Sequence, residues 1–437
     1  SADLYVKLEA ETGIATGMRQ TGSISVALTE ARKEELYRQA ALARAFDVDV
    51  TEISPAEVKA MYPHLNVGDV VGAVHLPLDG QCDPANIAMA LAKGARMRGA
   101  QIHEGVKVTR VLDDGAKVTG VAYEGPEGPG TIACEHVVNC GGMWGRDLAA
   151  QNGVTLPLHA CEHFYLITEP IEGLGRLPVL RVPDECAYYK EDAGKMMLGA
   201  FEPVAKPWGM AGIPEDFCFD SLPEDFEHFE PILAQAMNRM PLFQKAGIHT
   251  FFNGPESFTP DGNFILGEAP ELPNFYVGAG FNAFGIAAGG GAGQALAEWV
   301  HAGQPPYDLW VVDIRRFGRP HTDTDWVRTR LDARRLIERA ERRHLVDAND
   351  RATLDEVLAI EQACFSAPWT RKMLAAELSG NPFANFLIAR CPDPLSGALA
   401  VVGYFCFWVV FEELRLMNLA VSAPFRRQGV ATRLVCE

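Results

Sequence analysis

A glycine-rich stretch limits most strongly what this chain can fold into. Residues 278–293 hold seven glycines in sixteen positions, between an apolar segment at 274–280 and a helical pattern that ends near residue 300. Glycine permits positive φ and lets a ligand approach the backbone closely. The start of the following helix offers free N–H groups and a positive dipole end. The stretch therefore predicts a strand, turn and helix that either bind an electron-rich ring or an anion, or serve only for tight helix–sheet packing.

The chain before and after this stretch alternates between helical and strand patterns. We predict helices at 4–12, 29–47, 86–98 and 146–152, and strands at 22–28, 101–104, 107–112, 120–123 and 136–139. Ser54, a following proline and Glu57 indicate a further helix start. Aromatic and β-branched runs between 156 and 250 predict an antiparallel sheet with short helices near 224–240. The patterns are typical of a mixed α/β and α+β protein with more than one domain.

The composition excludes several classes of function. A formal net charge of −18 on 437 residues argues against a nucleic-acid binder, and the arginine-rich segment 315–343 also carries acidic residues at helical spacing. No apolar run reaches the ~18 residues of a membrane span, and the first residues carry no export signal. The ten cysteines contain no C-x-x-C pair, so we expect reduced thiols, a cytoplasmic location and no metal site.

Six segments carry a resemblance to a known family. In one-letter code they read TGIATGMRQTGS at 12–23, VVNCGGMW at 137–144, EHFY at 162–165, FEPVAKPW at 201–208, NGPESFTPDG at 253–262 and DLWVVDIRRF at 308–317. Through them, residues 1–320 resemble the D-amino-acid-oxidase-like flavoproteins, and among these the dimethylglycine and sarcosine dehydrogenases. The likeness is continuous, which makes it more specific than a single glycine motif.

The resemblance implies FAD as cofactor and a body made of two regions. The flavin region would comprise 80–155 and 251–305, and an antiparallel substrate region would comprise 1–79 and 156–250, followed by a helical arginine-rich linker at 321–345. No G-x-G-x-x-G fingerprint follows a strand in this sequence, so the first βαβ unit of the Rossmann-like FAD-binding domain is expected to be missing. We therefore expect an incomplete FAD-binding domain that binds the dinucleotide weakly.

The resemblance also assigns residues to the site. His163 and Tyr188 match the polar active-site pair of these enzymes, while Tyr189 should point to the opposite face of its strand. An imidazole can accept the proton of an amine and a phenol can hydrogen-bond a carboxylate, although a histidine among aromatic residues is by itself more often a core residue. We expect this pair to face the turn at 278–291 across one cleft. Flavin contacts are implied for Val108 at the adenine, for Gly141 and Gly142 along the dinucleotide, and for Pro260, Asp261, Gly262, Gly280, Phe281, Asn282 and Gly285 around the isoalloxazine.

Residues 346–437 resemble a second family. The segments DEVLAIEQACFSAPWT at 355–370 and LMNLAVSAPFRRQGVA at 416–431 are similar to GNAT acyl-CoA acetyltransferases of the ribosomal-protein alanine type. A strand ending at Val421 and a helix starting near Gly429 would form either a pyrophosphate cradle or an ordinary strand–helix turn. Acetyl-CoA contacts are implied for Leu419, Val421, Arg426, Arg427, Gln428, Gly429 and Ala431. Because the sequence stops within that helix, before the family's catalytic acid and base, we expect a partial GNAT α/β domain.

The function that follows from the resemblance is oxidative N-demethylation. FAD would take a hydride from the N-methyl carbon of a small amino acid of the dimethylglycine or sarcosine type, and the resulting iminium would release formaldehyde. The partner is then a small N-methyl amine, with an unknown electron acceptor and neither nucleic acid nor membrane. Two alternatives stay open, an acetyl-CoA-binding N-acetyltransferase and an inactive fusion fragment.

Overall fold

The computed structural model of the protein describes residues 1–203, 205–324, 327, 351–366, 368–381, 384–392, 399–410, 413–426, 430–431 and 434. The chain divides into two compact units, Ser1–Ala333 and Arg334–Glu437. Most of the predicted linker at 321–345 lies outside the described residues.

The first unit contains fifteen strands and seven α-helices among its described residues. The strands are β1 (Ser23–Ala27), β2 (Thr51–Ile53), β3 (Gly72–Leu76), β4 (Lys107–Asp113), β5 (Val118–Gly125), β6 (Gly128–Ala133), β7 (Val137–Asn139), β8 (His159–Thr168), β9 (Val179–Val182), β10 (Ala187–Asp192), β11 (Lys195–Ala200), β12 (Lys206–Pro207), β13 (Ile248–Phe258), β14 (Ile265–Glu268) and β15 (Phe275–Ala279). The helices are α1 (Ala2–Thr12), α2 (Glu30–Ala45), α3 (Pro55–Met61), α4 (Pro84–Met97), α5 (Gly145–Ala150), α6 (Phe226–Arg239) and α7 (Gly285–Ala302).

A nine-stranded sheet organises this unit. Its order is β12-β8-β11-β10-β9-β1-β3-β2, and β13 also pairs with β8. The strands predicted between 156 and 250 pair antiparallel, as expected, whereas β1 joins them through a parallel pairing with β9. Since side chains alternate between the two faces of a strand, each face of this sheet collects every second residue.

One face of the large sheet forms the main hydrophobic core. Buried side chains of the strands, such as Leu166, Leu198 and Tyr189, belong to one cluster with residues of α3 and α6. Helix α3 begins with the predicted capping box, in which Ser54 accepts from the Glu57 amide and the Glu57 carboxylate accepts from the Ser54 amide. This face supplies stability, and the candidate site lies on the other face.

A small sheet of order β14-β15-β7 carries the glycine-rich segment. Strand β15 runs parallel to β7 and leads through a turn into α7, which confirms the predicted strand, turn and helix. Leu266, Tyr276 and Trp299 pack together between this sheet and α7. Helices α1 and α4 share a separate apolar cluster.

Strands β4, β5 and β6 form an antiparallel meander next to α5. The meander confirms the strands predicted at 107–112 and 120–123. The strand predicted at 101–104 was wrong, because these four residues are all exposed and form no strand. Ile102 is their only apolar residue, so no hydrophobic face holds them against a neighbour.

Two packing facts bear on the predicted division into substrate and flavin regions. Strand β13 pairs with β8 as far as Phe258, so the large sheet includes residues that the sequence places in the flavin region. The Tyr5 hydroxyl on α1 donates to the carbonyl of Ile286 on α7. Residues 1–12, which the sequence places in the substrate region, therefore contact the glycine-bearing helix.

The second unit has three antiparallel strands and two helices among its described residues. Helices α8 (Arg351–Cys364) and α9 (Arg371–Gly380) accompany β16 (Ala384–Pro392), β17 (Leu399–Val410) and β18 (Glu413–Val421), in the order β16-β17-β18. The buried Glu361 carboxylate accepts hydrogen bonds from the Trp369 amide, the Asn418 side chain and the Tyr404 hydroxyl. This carboxylate ties α8 to the sheet.

Candidate active site

The other face of the large sheet carries a row of residues that the strand register brings side by side. Tyr188 of β10 lies opposite Arg181 of β9 and Gly199 of β11, and Gly199 lies opposite Tyr165 of β8. Residues that pair directly on adjacent strands project to the same face. Arg181, Tyr188 and Tyr165 therefore share one surface, although they are far apart in sequence.

Gly199 makes room for the Tyr188 ring in this row. A Cβ atom at residue 199 would lie 1.9 Å from Cζ of Tyr188. The phenol thus lies flat across the neighbouring strand instead of standing above it. Burial, followed by the charge of Glu202, raises the pKa of Tyr188 to about 12, so the hydroxyl keeps its proton and can donate.

Phe201 joins the predicted pair to the glycine-rich turn. Its ring centre lies 5.6 Å from that of His163 and 5.7 Å from that of Tyr188. On its other side Phe201 stacks on Phe284 at 5.5 Å with an interplanar angle of 13°. Phe284 is the residue immediately before α7. The imidazole, the phenol and the start of α7 therefore belong to one cluster. We expected a cleft between the pair and the turn, and the stacked rings of Phe201 and Phe284 link them instead; the roles of His163 and Tyr188 stay predictions.

The His163 imidazole has a carboxylate partner. Its Nδ1 lies 3.1 Å from Oε2 of Glu202, and Oε1 of Glu202 accepts from the Phe164 amide at 2.9 Å. Burial alone would lower the pKa of His163, but the hydrogen bond with Glu202 and the charges of Glu202 and Glu256 raise it above the usual value. The imidazole therefore binds a proton more tightly than an ordinary histidine does.

Arg181 contributes a cation without a carboxylate partner. Its guanidinium carbon lies 5.5 Å from the centre of the Phe201 ring and 5.0 Å from that of Phe284. Burial, and next the like charge of Arg32, lowers its pKa. Among the described residues its side chain forms these two ring contacts but neither a salt bridge nor a hydrogen bond. A half-buried guanidinium in this state is suited to an anionic group of a ligand.

The turn before α7 is held in an unusual backbone conformation. Asn282 and Ala283 both have positive φ, at 50° and 64°. The Asn282 amide group is buried and bonds to Thr259 and to the carbonyl of Gly280. Gly280 has φ 66°, and a Cβ there would lie 2.5 Å from Thr259. The Asn282 side chain thus shapes the turn rather than reaching into the cleft.

Helix α7 starts without a side-chain cap. The N–H groups of Gly285, Ile286 and Ala287 have no carbonyl partner within the helix because no turn precedes them, whereas the N–H of Ala288 donates to the Phe284 carbonyl at 2.9 Å. The first three N–H groups point from the positive end of the helix dipole, next to the stacked Phe284, and suit an electron-rich ring edge. Phe281 faces away from this start and stacks on Phe264 at 5.0 Å. The uncapped amides, the aromatic cluster and the polar pair fit the isoalloxazine ring of FAD.

The predicted residues at 260–262 lie next to this turn. Pro260 is buried, and Gly262 has φ 76°. The Asp261 carboxylate forms a salt bridge with Arg316 at 2.7 Å, which joins the turn at 260–262 to the 3-10 turn at Ile314–Arg316. Asp261 thereby supports the turn.

The residues predicted to contact the rest of the dinucleotide lie on two separate elements, after β7 and on β4. Gly141 and Gly142 follow β7 and begin a 3-10 turn at Gly142–Trp144, and open space surrounds the position of a Cβ at Gly142. Val108 lies on β4 of the meander with its side chain 41% exposed. Their contacts with an adenine or pyrophosphate stay predictions.

In the second unit, some residues of the predicted acetyl-CoA cradle are described. Strand β18 ends at Val421, which is buried, whereas Leu419 is partly exposed. Arg426 donates to the Val421 carbonyl at 2.9 Å and to Sγ of Cys364 at 3.1 Å, and Ala431 lies in a helical turn. Arg427, Gln428 and Gly429 lie outside the described residues.

The described residues contain no group of three or more His, Cys, Asp or Glu side chains that could hold a metal ion. None of the described helices is both long enough and apolar enough to span a bilayer.

Sequence reasoning missed Arg181 and Glu202 as site residues. Arg181 is the single charged residue of the short strand β9, and Glu202 lies inside the segment FEPVAKPW. A charged residue within an apolar strand is a signal that could have found Arg181, because such residues are rarely buried without a role.

Comparison with protein families gives three matches along the chain. Residues 1–299 match the FAD dependent oxidoreductase family, and residues 302–333 match the FAD dependent oxidoreductase central domain. Residues 354–436 match the acetyltransferase (GNAT) family. The resemblance to FAD-dependent flavoproteins and the resemblance to GNAT acetyltransferases are thereby confirmed, and the ribosomal-protein alanine type stays a prediction.

Curated relatives of known name are similar over the first unit. Mitochondrial sarcosine dehydrogenase of Mus musculus is 40% identical over 74% of this chain and 35% of its own length. The mitochondrial pyruvate dehydrogenase phosphatase regulatory subunit of Mus musculus is 38% identical over 76% of this chain and 38% of its own length. Mitochondrial dimethylglycine dehydrogenase of Homo sapiens is 32% identical over 73% of this chain and 37% of its own length. The chain thus spans little more than a third of these relatives.

Solved structures agree with this assignment at the level of the fold. An L-proline dehydrogenase from P. horikoshii superposes with a TM-score of 0.63 at 24% identity, covering 72% of this chain and 81% of the other.

Proposed function

This chain belongs to the family of FAD-dependent oxidoreductases, and on that premise we propose that it oxidatively removes a methyl group from a small N-methyl amino acid of the sarcosine or dimethylglycine type. The relatives named sarcosine and dimethylglycine dehydrogenase support this substrate class. The observation that carries the proposal is the convergence of His163, Tyr188 and Arg181 around Phe201, next to the turn that precedes α7.

The chemistry divides between the cofactor and the side chains. FAD, when bound, accepts two electrons as a hydride from the N-methyl carbon, which leaves an iminium that water hydrolyses to formaldehyde and the demethylated amine. Hydride leaves readily only when the amine nitrogen has lost its proton and carries a lone pair. In this proposal His163 accepts that proton at Nε2, because Nδ1 faces the Glu202 carboxylate.

Recognition of the substrate rests on charge and aromatic surface. Arg181 would pair with the substrate carboxylate, and the Tyr188 hydroxyl would donate to the same group. Phe201 contacts both polar groups, because the Arg181 guanidinium carbon lies 5.5 Å and the His163 ring centre 5.6 Å from its own ring centre. In the proposed binding mode, a small amino acid lies with its amine near His163 and its carboxylate near Arg181.

The direct test is reduction of bound flavin by substrate. The full chain is saturated with FAD, made anaerobic and mixed with sarcosine or dimethylglycine. We expect loss of the visible flavin absorbance and one formaldehyde per flavin reduced. Glycine serves as the matched control, since it carries the same carboxylate without an N-methyl group and should yield no formaldehyde. Persistent oxidised flavin with both methylated amines would refute the proposal.

The alternative of an inactive fragment predicts a different result in the flavin-reduction test. An inactive chain would bind FAD or lose it without any substrate-dependent bleaching; the likeness to a phosphatase regulatory subunit shows that one relative of this family carries a regulatory name. We therefore include the unmethylated control and a substrate-free sample in the same series. Bleaching that depends on the N-methyl group distinguishes an enzyme from a regulatory protein.

A second candidate function belongs to the second unit. We propose that it binds acetyl-CoA, because β18 is followed by a 3-10 turn at Ala423–Phe425, by Arg426 and by helical residues at 430–431, within a segment that matches the GNAT family. Acetyl-CoA binding measured by calorimetry on the full chain tests this. Arg426→Met should weaken binding about 10-fold, as loss of one charged hydrogen bond predicts, and unchanged affinity would contradict the cradle.

A further inference from the structure

The Glu202 carboxylate contacts the His163 imidazole at Nδ1. Glu202 lies two residues after β11, and its side chain is only 6% exposed. Both carboxylate oxygens are engaged, Oε2 with the His163 imidazole at 3.1 Å and Oε1 with the Phe164 amide at 2.9 Å. The carboxylate thus bridges the side chain of one residue of β8 and the backbone of the next. This double attachment prevents the carboxylate from rotating away from the imidazole.

The partners of Glu202 determine where the proton of the imidazole sits. An ionised carboxylate only accepts hydrogen bonds, so the His163 nitrogen that faces it must carry the proton. In the neutral imidazole the other nitrogen, Nε2, then holds the free lone pair. The opposite tautomer would place two lone pairs against each other at Nδ1 and would occupy Nε2 with a proton. Such an imidazole could not accept a proton from an amine.

The surroundings of His163 are mostly acidic or neutral. The charge of Glu256 on β13 acts on the imidazole, and Cys161 precedes His163 by two residues on β8. Tyr188 and Arg181 contact the Phe201 ring, which packs on the imidazole. Burial raises the pKa of Cys161 to about 12 and that of Tyr188 to about 12, so both side chains stay uncharged. Burial also raises the pKa of Glu256. Glu202 is therefore the nearest carboxylate that contacts the imidazole directly.

We propose that Glu202 is a positioning residue that holds His163 with its proton on Nδ1 and its lone pair at Nε2 directed toward the substrate amine. The proposal deepens the amine-oxidation function proposed above and rests on it for the identity of the proton donor. It gives Glu202 no contact with substrate or cofactor, and it makes the proton affinity of His163 depend on a residue from the segment that follows β11. A role confined to holding the Phe164 amide would leave the imidazole unaffected.

The test measures the imidazole itself and needs no turnover. The full chain is labelled with ¹⁵N-histidine, and the His163 resonances are identified by their absence in His163→Asn. Nuclear magnetic resonance then gives the tautomer and the pKa for the wild type and for Glu202→Gln. The matched control is Glu256→Gln, which removes a nearby carboxyl that does not contact the ring.

In the wild type we expect the proton on Nδ1 and a pKa above the ordinary value near ~6.5. Glu202→Gln should lower the proton affinity of His163 at least about 10-fold, because it removes a charge-assisted hydrogen bond. It should also populate the Nε2-protonated tautomer, since the new amide can donate to Nδ1. Glu202→Asp should restore some of both properties, and Glu256→Gln should leave the tautomer unchanged.

Two results would overturn the proposal. One is an Nε2-protonated His163 in the wild type, a measurement that holds even if the Gln variant does not fold. The other is an unchanged tautomer and pKa in a folded Glu202→Gln protein. Failure of N-methyl amines to reduce the flavin would refute the proposed function. The tautomer and the pKa of His163 could still be measured and would still test the role of Glu202.

Discussion

One face of the large sheet belongs to the hydrophobic core and the other carries the candidate site. Tyr188 and Tyr189 show this difference most clearly. They are neighbours on β10, yet Tyr189 is fully buried and packs on Phe243, while Tyr188 packs on Phe201 at the site. One face is continuous with the helices of the core, and the other carries an arginine, a histidine and two phenols. Because successive side chains of a strand point to opposite faces, two adjacent residues can serve the core and the site respectively.

The largest effect should come from removing the two tyrosines separately. Tyr189→Ala deletes a fully buried ring, so the free energy of unfolding should fall by about 3–5 kcal/mol. Tyr188→Ala should cost clearly less stability and abolish substrate-dependent flavin reduction. Chemical denaturation and anaerobic flavin reduction measure the two effects. Equal losses of stability for both variants would contradict the claim that the Tyr189 face contributes more to stability than the Tyr188 face.

Arg181 should affect recognition of the carboxylate more than folding. Arg181→Met removes the unpaired cation while keeping an apolar stem against Phe201, so kcat/KM for sarcosine should fall about 10- to 150-fold, equivalent to about 1.5–3 kcal/mol. A methylated amine without a carboxylate should show no such loss. Arg96→Met is the control, because that exposed cation lies on α4 and pairs with Glu104. An equal loss for both substrates would argue against carboxylate binding at Arg181.

Gly199 tests how the site face makes room for the Tyr188 ring. Gly199→Ala places a methyl group in the space of that ring and should cost about 1–3 kcal/mol of stability through overpacking. In a Tyr188→Ala background the same change should be nearly neutral, since the overlapping ring is gone. A double-mutant cycle in denaturant measures this coupling. Simple additivity would show that the ring does not lie over Gly199.

The smallest effect should come from deleting hydroxyl groups. The Tyr189 hydroxyl is buried and has no hydrogen-bond partner among the described residues. Tyr189→Phe should therefore change stability by no more than about 0.5 kcal/mol or raise it slightly. Tyr188→Phe should also fold normally but lower kcat/KM for a carboxylate substrate. A strong destabilisation by Tyr189→Phe would reveal a hidden partner on the core face.

Local patterns allowed much of the fold to be predicted. The turn before α7, the capped start of α3 and the opposite orientation of Tyr188 and Tyr189 all depend on residues close in sequence. Periodicity and glycine or proline placement report such features directly. The strand predicted at 101–104 failed because so short a run of alternation cannot show whether a neighbouring strand exists.

The site itself depends on pairings that no local pattern contains. Arg181 reaches the site because β9 pairs with β10 on one side and with β1, from the start of the chain, on the other. Glu202 reaches His163 because β11 returns beside β8. The resemblance to a family supplied His163 and Tyr188, but the carboxylate and the guanidinium that complete the cluster required the strand register.

The most direct measurement of the central claim is a crystal structure of the full chain with FAD and an N-methyl amino acid, prepared anaerobically after reduction of the flavin. We predict that the isoalloxazine lies beside Phe284 and the start of α7, with the amine facing Nε2 of His163 and the carboxylate on Arg181. A flavin ring bound elsewhere, or a substrate whose carboxylate points away from Arg181 and whose amine does not face His163, would contradict the account.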